Sequence, residues 1–538
     1  VAGLATSFGS GAMTNSWADY HNTDLFFVIG SNPTEAHPVG GAKIMTSVLN
    51  GAKLIVADPR RIELAEKADI WLQLRPGTDI PLLNGLMHII IKEDLHDKKF
   101  IEERTEGFED LKAAVEKWTP EKASEVTGVP VNLLYDAARL YATTAKAMLC
   151  YTLGITEHVC GVDNVMSTAN IAMLTGHLGK EGCGVNPQRG QNNVQGACDM
   201  AALPGDYPGY QKVNKPEVQA KFEKAWGVKL SPTPGLTIPD MMDAAVEGKL
   251  KAMYVFGEDP VMTDPDANHI KKALEAMDFV VVQEIFMSQT AKYADVILPG
   301  ASFAEKDGTF TNSERRVQRV RKAIEPIGDT KPDWKIICEV SNRMGYAMDY
   351  THPEQVFDEM AALTPSYGGI NYQRIDHVGL QWPCPTVDHP GTQILHTASF
   401  TRGKGLFKGI DHTPPAEMPD EDYPYLLSTG RILYHYNVTT RFSSGLDAHR
   451  PEEAAMIHPA DAASLGIGTG DTVQVTSRRG SLKTKVNVTD KVQSGMIWMS
   501  FHYHETPTNE LTVNAFDPVS KTGEYKVAAV KIEKAASV

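Results

Sequence analysis

The chain has 538 residues, 42% of them hydrophobic and 22% charged, a composition that excludes a disordered tract, a collagen or a coiled coil. Its 52 Lys and Arg against 67 Asp and Glu leave a net charge of −15, which argues against a nucleic-acid partner because phosphates call for a basic surface. The longest apolar stretches, such as Leu82 to Ile91, fall short of the roughly 20 residues of a membrane span and contain polar positions, so no membrane span is expected. Six cysteines (Cys150, Cys160, Cys183, Cys198, Cys338 and Cys384) form no C-x-x-C pair and no zinc or iron–sulfur spacing. They read as buried thiols in a reducing, cytoplasmic setting.

In chain order, the opening Val1-Ala-Gly-Leu has no initiating Met and no charged or apolar leader, and it reads as sequence from inside a protein. Asp24 to Gly30 is a short apolar run that ends in Gly-Ser-Asn-Pro, with a helix able to open at Glu35; this is a strand, a tight turn and a helix start. Lys53 to Ala57 is a second strand ending in Asp58-Pro-Arg60-Arg61. Asp69 to Leu74 is a third, ending in Arg75-Pro-Gly-Thr-Asp79, where Asp79 can cap a helix reaching about Lys92. Strands alternating with helices predict a parallel sheet with ligands at its carboxyl edge. His158, after Gly154-Ile-Thr-Glu157, reads as a pocket or core residue rather than a catalytic base.

The segment from Asn186 to Met200 is dense in amides and glycines, carries one arginine, and is neither helix nor strand by pattern. Its fixed donors suit a polar ligand, and Arg189 can hold a small carboxylate bidentately. Pro187, Val194, Ala197 and Met200 are poor choices for a merely solvated loop.

The first grammar then returns as Ala252 to Gly257 followed by Glu-Asp-Pro, Phe279 to Glu284, and Ala294 to Gly300. Gly30 to Asp58 is 28 residues and Gly257 to Glu284 is 27, while Asp58 to Asp69 and Glu284 to Asp295 are both 11. These repeated spacings predict an internal duplication. Each copy supplies a glycine that lets backbone approach a phosphate and an acid suited to a ribose hydroxyl or a base N–H. Two copies suggest two nucleotide moieties. Neither copy carries G-x-G-x-x-G, and no P-loop is present, so ordinary NAD and ATP sites are disfavoured.

From about Asp422 short strands predominate, at Tyr423–Thr429, Thr472–Thr476, Ser481–Val486 and Met496–Ser500, and a β-rich domain is expected. His502 and His504 alternate on FHYH but bring no third ligand with them, so no metal site is assigned.

The run RGQNNVQGACDMAALPGDYPGY from Arg189, with the GSNP turn, VADPRR, GEDP and ADVILPG, resembles the catalytic large subunits of molybdenum- or tungsten-dependent formate dehydrogenases, members of the bis(molybdopterin guanine dinucleotide) oxidoreductases. The resemblance covers essentially the whole chain. It implies an α/β protein: two pseudo-duplicated, doubly wound parallel-sheet dinucleotide-binding domains at 1–190 and 191–420, the second with inserted segments, then a C-terminal double-psi β-barrel at 421–538. It also implies a cofactor of two molybdopterin guanine dinucleotides with Mo or W, and formate oxidation to CO2 or its reverse. Gly30, Asn32, Asp58, Arg60, Gly77 and Asp79 would line one dinucleotide, and Gly257, Glu258, Asp259, Gln283, Glu284 and Asp295 would belong to the other. Arg189 matches the substrate arginine, with Gln191 near the same ligand. Asn509 and Lys526 match positions that touch the cofactor, and Thr429, Arg431 and His435 join them after the barrel's first strand.

By the same resemblance, a metal-ligating cysteine or selenocysteine and a neighbouring histidine belong just ahead of Val1, with a 4Fe–4S domain further upstream. A truncated record is expected, for instance from an in-frame selenocysteine codon read as a stop. The implied partners are iron–sulfur electron-transfer subunits, with a flavin subunit using NAD or a hydrogenase module beyond them. The alternatives are another family member such as a nitrate reductase, or a scaffold like the large subunit of respiratory complex I that has lost the metal cofactor.

Overall fold

The structure, a computed structural model, describes residues 1–535. The chain divides into two compact units, one of residues 1–188, 262–268 and 394 onward, the other of residues 189–261 and 269–393. The expected boundary near 190 thus falls at a unit boundary, and the one near 420 falls inside the first unit.

In the first unit five parallel strands, β1 (Leu25–Ile29), β2 (Lys53–Ala57), β3 (Ile70–Leu72), β4 (Ala147–Tyr151) and β5 (Gly184–Pro187), lie in the order β3-β2-β1-β4-β5. The unbroken apolar run of β1 follows from burial on both faces. Leu25, Phe27 and Ile29 enter one core with Leu83, Leu86 and Ile171, while Phe26 and Val28 enter another with Tyr20, Ile44 and Met148. The apolar stretch from Leu82 belongs to helix α1 (Asp79–Lys92), which lies in the first of these cores, as does much of α2 (Gly161–Leu174). Thr78, not Asp79, is the N-cap of α1, and neither forms a side-chain cap bond.

In the second unit β6 (Ala252–Phe256), β7 (Phe279–Glu284) and β8 (Val296–Pro299) are parallel in the order β8-β7-β6, matching β3-β2-β1. The duplication extends to the hydrogen bonds. Gly30 N donates to Ala57 O and Gly257 N to Gln283 O, while Asp69 N donates to Leu54 O and Asp295 N to Val280 O. The Asn186–Met200 segment is more regular than its composition suggests: its start lies in β5, and Val194–Asp199 form the short helix α3, entered through Asn193 at φ 58°.

The C-terminal strands β9 (Tyr425–Gly430), β10 (Ala454–Ile457), β11 (Thr472–Thr476), β12 (Ser481–Val488), β13 (Met496–Ser500) and β14 (Ala528–Lys534) close a six-stranded barrel in the order β9-β13-β10-β12-β11-β14. Its β9–β13 and β10–β12 pairs are parallel and the rest antiparallel. Strands β10 and β14 go beyond the four expected from the sequence. Ala455, Val473, Val475, Ile497 and Val530 fill the interior. Among the described residues no helix is long and apolar enough to cross a membrane.

Candidate functional site

The order of the first sheet reverses between β1 and β4, and at such a switch point the two diverging chains open a crevice at the strands' carboxyl ends. Gly30 turns there at φ 55°, and a Cβ on it would lie 2.8 Å from the carbonyl carbon of Gly154. Gly154 N and Thr152 Oγ1 both donate to Gly30 O, at 3.0 and 2.9 Å. Asp58 follows β2 and accepts from Arg60 N at 2.9 Å. Burial pushes its carboxyl up to about 7, helped by the Glu35 and Asp79 charges and opposed by Arg60. Arg60 itself is committed to structure: it pairs with Glu35 at 2.9 Å and lies 4.2 Å over the Trp498 ring. Asn32 accepts from Thr34 Oγ1 at 2.9 Å. Gly77, at φ 79°, is required by packing, since a Cβ would lie 2.4 Å from Pro415 Cγ.

Asp79 is 5% exposed, with its carboxylate 3.8 Å from His158 Nε2. On the ring's other side Glu524, fully buried, stands 3.6 Å from Nδ1. Burial raises the Asp79 carboxyl, partly countered by His158. Burial also works against the His158 imidazolium, but Glu524 and Asp79 outweigh it and hold the ring's pKa above its usual value. Glu524 was invisible to sequence reasoning because nothing local marks its partner.

Lys526 pairs with Glu157 at 2.6 Å and donates to Thr429 O at 3.1 Å, while Thr429 Oγ1 donates to Tyr525 O. Arg431 donates to Ala36 O at 2.8 Å and to Asn437 Oδ1 at 3.1 Å, tying the barrel to the turn after β1. Asn509, 3% exposed, donates to Met262 O and Thr263 O, while its buried Oδ1 has no donor among the described residues.

His435 stacks on His502 with ring centroids 3.7 Å apart and planes 11° from parallel. The sequence offered His502 and His504 as a pair without a third ligand. The structure separates them: His504 meets Glu505 in solvent, while potential ligand atoms of His502, His435 and Asp447 lie within 4.8 Å of one another. Near-parallel rings set their in-plane lone pairs side by side, a poor arrangement for one ion about 2.0–2.1 Å from each nitrogen.

In the second unit the repeated glycine shares the positive φ of its counterpart but not its crowding. Gly257 turns at φ 61° with nothing within 4 Å of a Cβ position. Gln283, at the end of β7, donates to Asp333 Oδ1 at 2.8 Å and accepts from Tyr254 OH, and Lys306 pairs with Asp333. Glu284 stands beside them half-buried, its carboxyl raised by burial and by the Asp259 and Asp333 charges. Asp333 and Lys306 belong to this cluster and carry no motif. Glu258 is exposed.

Two of the proposed ligand acids take other roles. Asp259 accepts from Thr290 N at 2.8 Å, Thr290 Oγ1 at 2.7 Å and Gln289 N at 3.2 Å, bracing a buried turn. The Asp295 carboxylate accepts from Val280 N at 2.7 Å at the amino end of β7, as Asp69 does for Leu54 N, at the opposite edge from Gly257 and Glu284. Equal spacing reflected a shared strand-end staple.

Arg189 is half-buried. Its Nη1 donates to Val194 O at 3.3 Å and to Cys198 Sγ at 3.2 Å, while Nε and Nη2 make no hydrogen bond among the described residues. Ser313 Oγ holds Arg189 O at 3.1 Å, and Asn193 Oδ1 accepts from Thr311 N at 2.9 Å. Gln191 is exposed. Such a guanidinium, fixed on one edge and open on the other, can take a planar anion.

Family models, relatives and a solved structure match this chain. The family model described as molybdopterin oxidoreductase matches residues 4–343, and that of the molybdopterin dinucleotide binding domain matches residues 425–529. The F420-dependent formate dehydrogenase 2 subunit alpha of Methanococcus maripaludis is 48% identical over 99% of this chain and 80% of its own length. Formate dehydrogenase H of Escherichia coli is 43% identical over 99% of this chain and 76% of its own length. Among solved structures, acetylene hydratase from Pelobacter acetylenicus shares the fold, with TM-score 0.79 and 23% identity over 99% of this chain and 80% of that one.

Proposed function

Because the chain belongs to the molybdopterin oxidoreductase family, we infer that it acts as a formate dehydrogenase catalytic subunit, oxidising formate to CO2 or running the reverse reduction. The observation that carries the substrate is Arg189, whose Nη1 is anchored and whose remaining edge stays available.

The residues present suit the cofactor. Asn509 Oδ1 is buried without a donor among the described residues, Asp58 is a strand-end acid able to take base or ribose donors, and Gly257 leaves open space where a side chain would stand. Asp58, Asp79, Asn509 and Lys526 would hold one dinucleotide, and Gln283, Glu284 and Asp333 the other. When bound, the molybdenum or tungsten bis(molybdopterin guanine dinucleotide) supplies the two-electron acceptor for HCOO⁻ → CO2 + H⁺ + 2e⁻.

Arg189 grips the formate carboxylate through two parallel N–H···O bonds, which fixes the carboxylate plane and with it the direction of the single C–H bond. The same charge favours the anion over neutral CO2, so product leaves a site that no longer attracts it. Iron–sulfur subunits would take the electrons onward to a flavin or hydrogenase module, a reading supported by relatives named as alpha subunits. A cytoplasmic setting is supported by six free cysteines.

Arg189→Lys tests the substrate role. A point charge cannot copy the fork, and losing one charge-assisted bond of about 1.5–3 kcal/mol predicts a fall of roughly 10- to 100-fold in kcat/KM for formate. Near-parental turnover in that variant would remove Arg189 from the mechanism.

A further inference from the structure

Asp199, the last residue of α3, is 1% exposed and takes no part in the site described so far. Its carboxylate is saturated with donors. Oδ1 accepts from Gln195 Nε2 at 2.8 Å and Tyr210 OH at 2.8 Å, and Oδ2 from Tyr367 OH at 2.6 Å and Trp382 Nε1 at 2.7 Å. Its carbonyl accepts from Gly209 N at 2.7 Å. The far partners are themselves fixed. Tyr367 OH lies 3.1 Å from Thr311 Oγ1, and Trp382 N donates to Arg315 O at 3.1 Å. The fully buried Arg315 guanidinium donates to Trp382 O, Thr392 O and Gln393 O.

Arg189 touches α3 at Val194 O and Cys198 Sγ, at either end of the helix and one residue short of Asp199. We propose that Asp199 is the positioning residue of Arg189: by clamping α3 to Tyr367 and Trp382 it sets the plane of the guanidinium before substrate arrives. The inference rests on the formate reading of Arg189 given above. Burial raises the Asp199 carboxyl, while the hydrogen bonds from Tyr367, Gln195 and Tyr210 and the Arg189 charge favour the carboxylate. A preformed fork saves the substrate the cost of ordering it, so loosening the clamp weakens formate binding more than it slows the bound reaction.

Chemistry makes the site intolerant of an amide. Asp199→Asn turns its NH2 either against Trp382 Nε1, which can only donate, or towards Gln195 and Tyr210, where the amide must flip and the hydroxyl must turn round to accept it. The exchanged pair Gln195→Glu with Asp199→Asn restores an acceptor facing that amide and keeps the negative charge.

The experiment is arginine-selective modification of the holoenzyme with phenylglyoxal, followed at the Arg189 peptide by mass spectrometry with increasing formate. In the parent, formate slows the modification. In Asp199→Asn half-protection takes about 10-fold more formate, and KM rises by a like factor with a smaller fall in kcat; the exchanged pair returns to within about 3-fold of the parent. Tyr210→Phe, which deletes one bond and spares the carboxylate, shifts half-protection by about 3-fold and carries the test if Asp199→Asn does not accumulate. Unshifted protection in Asp199→Asn, or in Tyr210→Phe where it stands alone, overturns the positioning role. Absence of protection in the parent overturns the formate reading of Arg189 and the positioning role with it, so the two failures are told apart.

Discussion

Asp58 ends β2 with its carboxyl pushed up to about 7 by burial, and this makes its ionisation a sensor of whether the nucleotide edge is filled. In cofactor-free protein the folded state keeps a proton between about pH 4 and 7 that the unfolded chain has already released. Stability therefore falls as pH rises through that window and is level above it. Asp58→Asn should remove that part of the slope in thermal unfolding of cofactor-free protein, and a difference between parent and variant that does not change with pH would contradict the assignment. The sequence made Gly30, Gly257, Asp58 and Glu284 legible because a left-handed glycine and an acid just past a strand are local features. It could not show that Asp259 and Asp295, in the same motifs, accept from backbone N–H groups. Asp333, 50 residues from its partner Gln283, and Glu524, brought to His158 from the far end of the chain, had no local signal at all.

At the scale of elements, the paired staples of Asp69 on Leu54 N and Asp295 on Val280 N are the repeat unit's own architecture. Replacing either with alanine removes the acceptor of a part-buried strand-end N–H, for an expected loss of about 0.5–1.5 kcal/mol. Because both acids lie at the amino edge, guanine nucleotide content should stay at parental levels in Asp295→Ala, as measured by acid release of GMP. A selective loss of GMP would return Asp295 to the ligand set. Strands β1, β2, β6 and β7 were readable as apolar runs between turn residues. Helix α3 was not, because the six residues Val-Gln-Gly-Ala-Cys-Asp are too few to show a helical periodicity and follow a Gly- and Asn-rich run; Asp199, Thr311 and Ser313 hold the segment in place. Strands β10 and β14 escaped for a related reason: short alanine-rich runs acquire strand character only from their barrel neighbours.

Across the whole molecule, alternating strands and helices with duplicated spacings led to a parallel-sheet α/β protein with two nucleotide moieties and a β-rich C-terminal domain, and the closure of that domain into a barrel was implied by the family resemblance. Contiguous domain limits could not follow from sequence order, because the first unit is assembled from 1–188, a short return at 262–268 and the chain from 394 onward. Folding of the barrel with the first sheet also explains why Arg60 lies over Trp498 and Arg431 reaches Ala36. We propose formate chemistry at a molybdopterin cofactor, with Arg189 as the carboxylate's partner. Its most direct test is formate-dependent reduction of an artificial viologen dye by the natively purified holoenzyme, run beside nitrate-dependent oxidation of the reduced dye. The account predicts turnover with formate that Arg189→Lys lowers by roughly 10- to 100-fold, and none with nitrate. Turnover with nitrate and none with formate would contradict it.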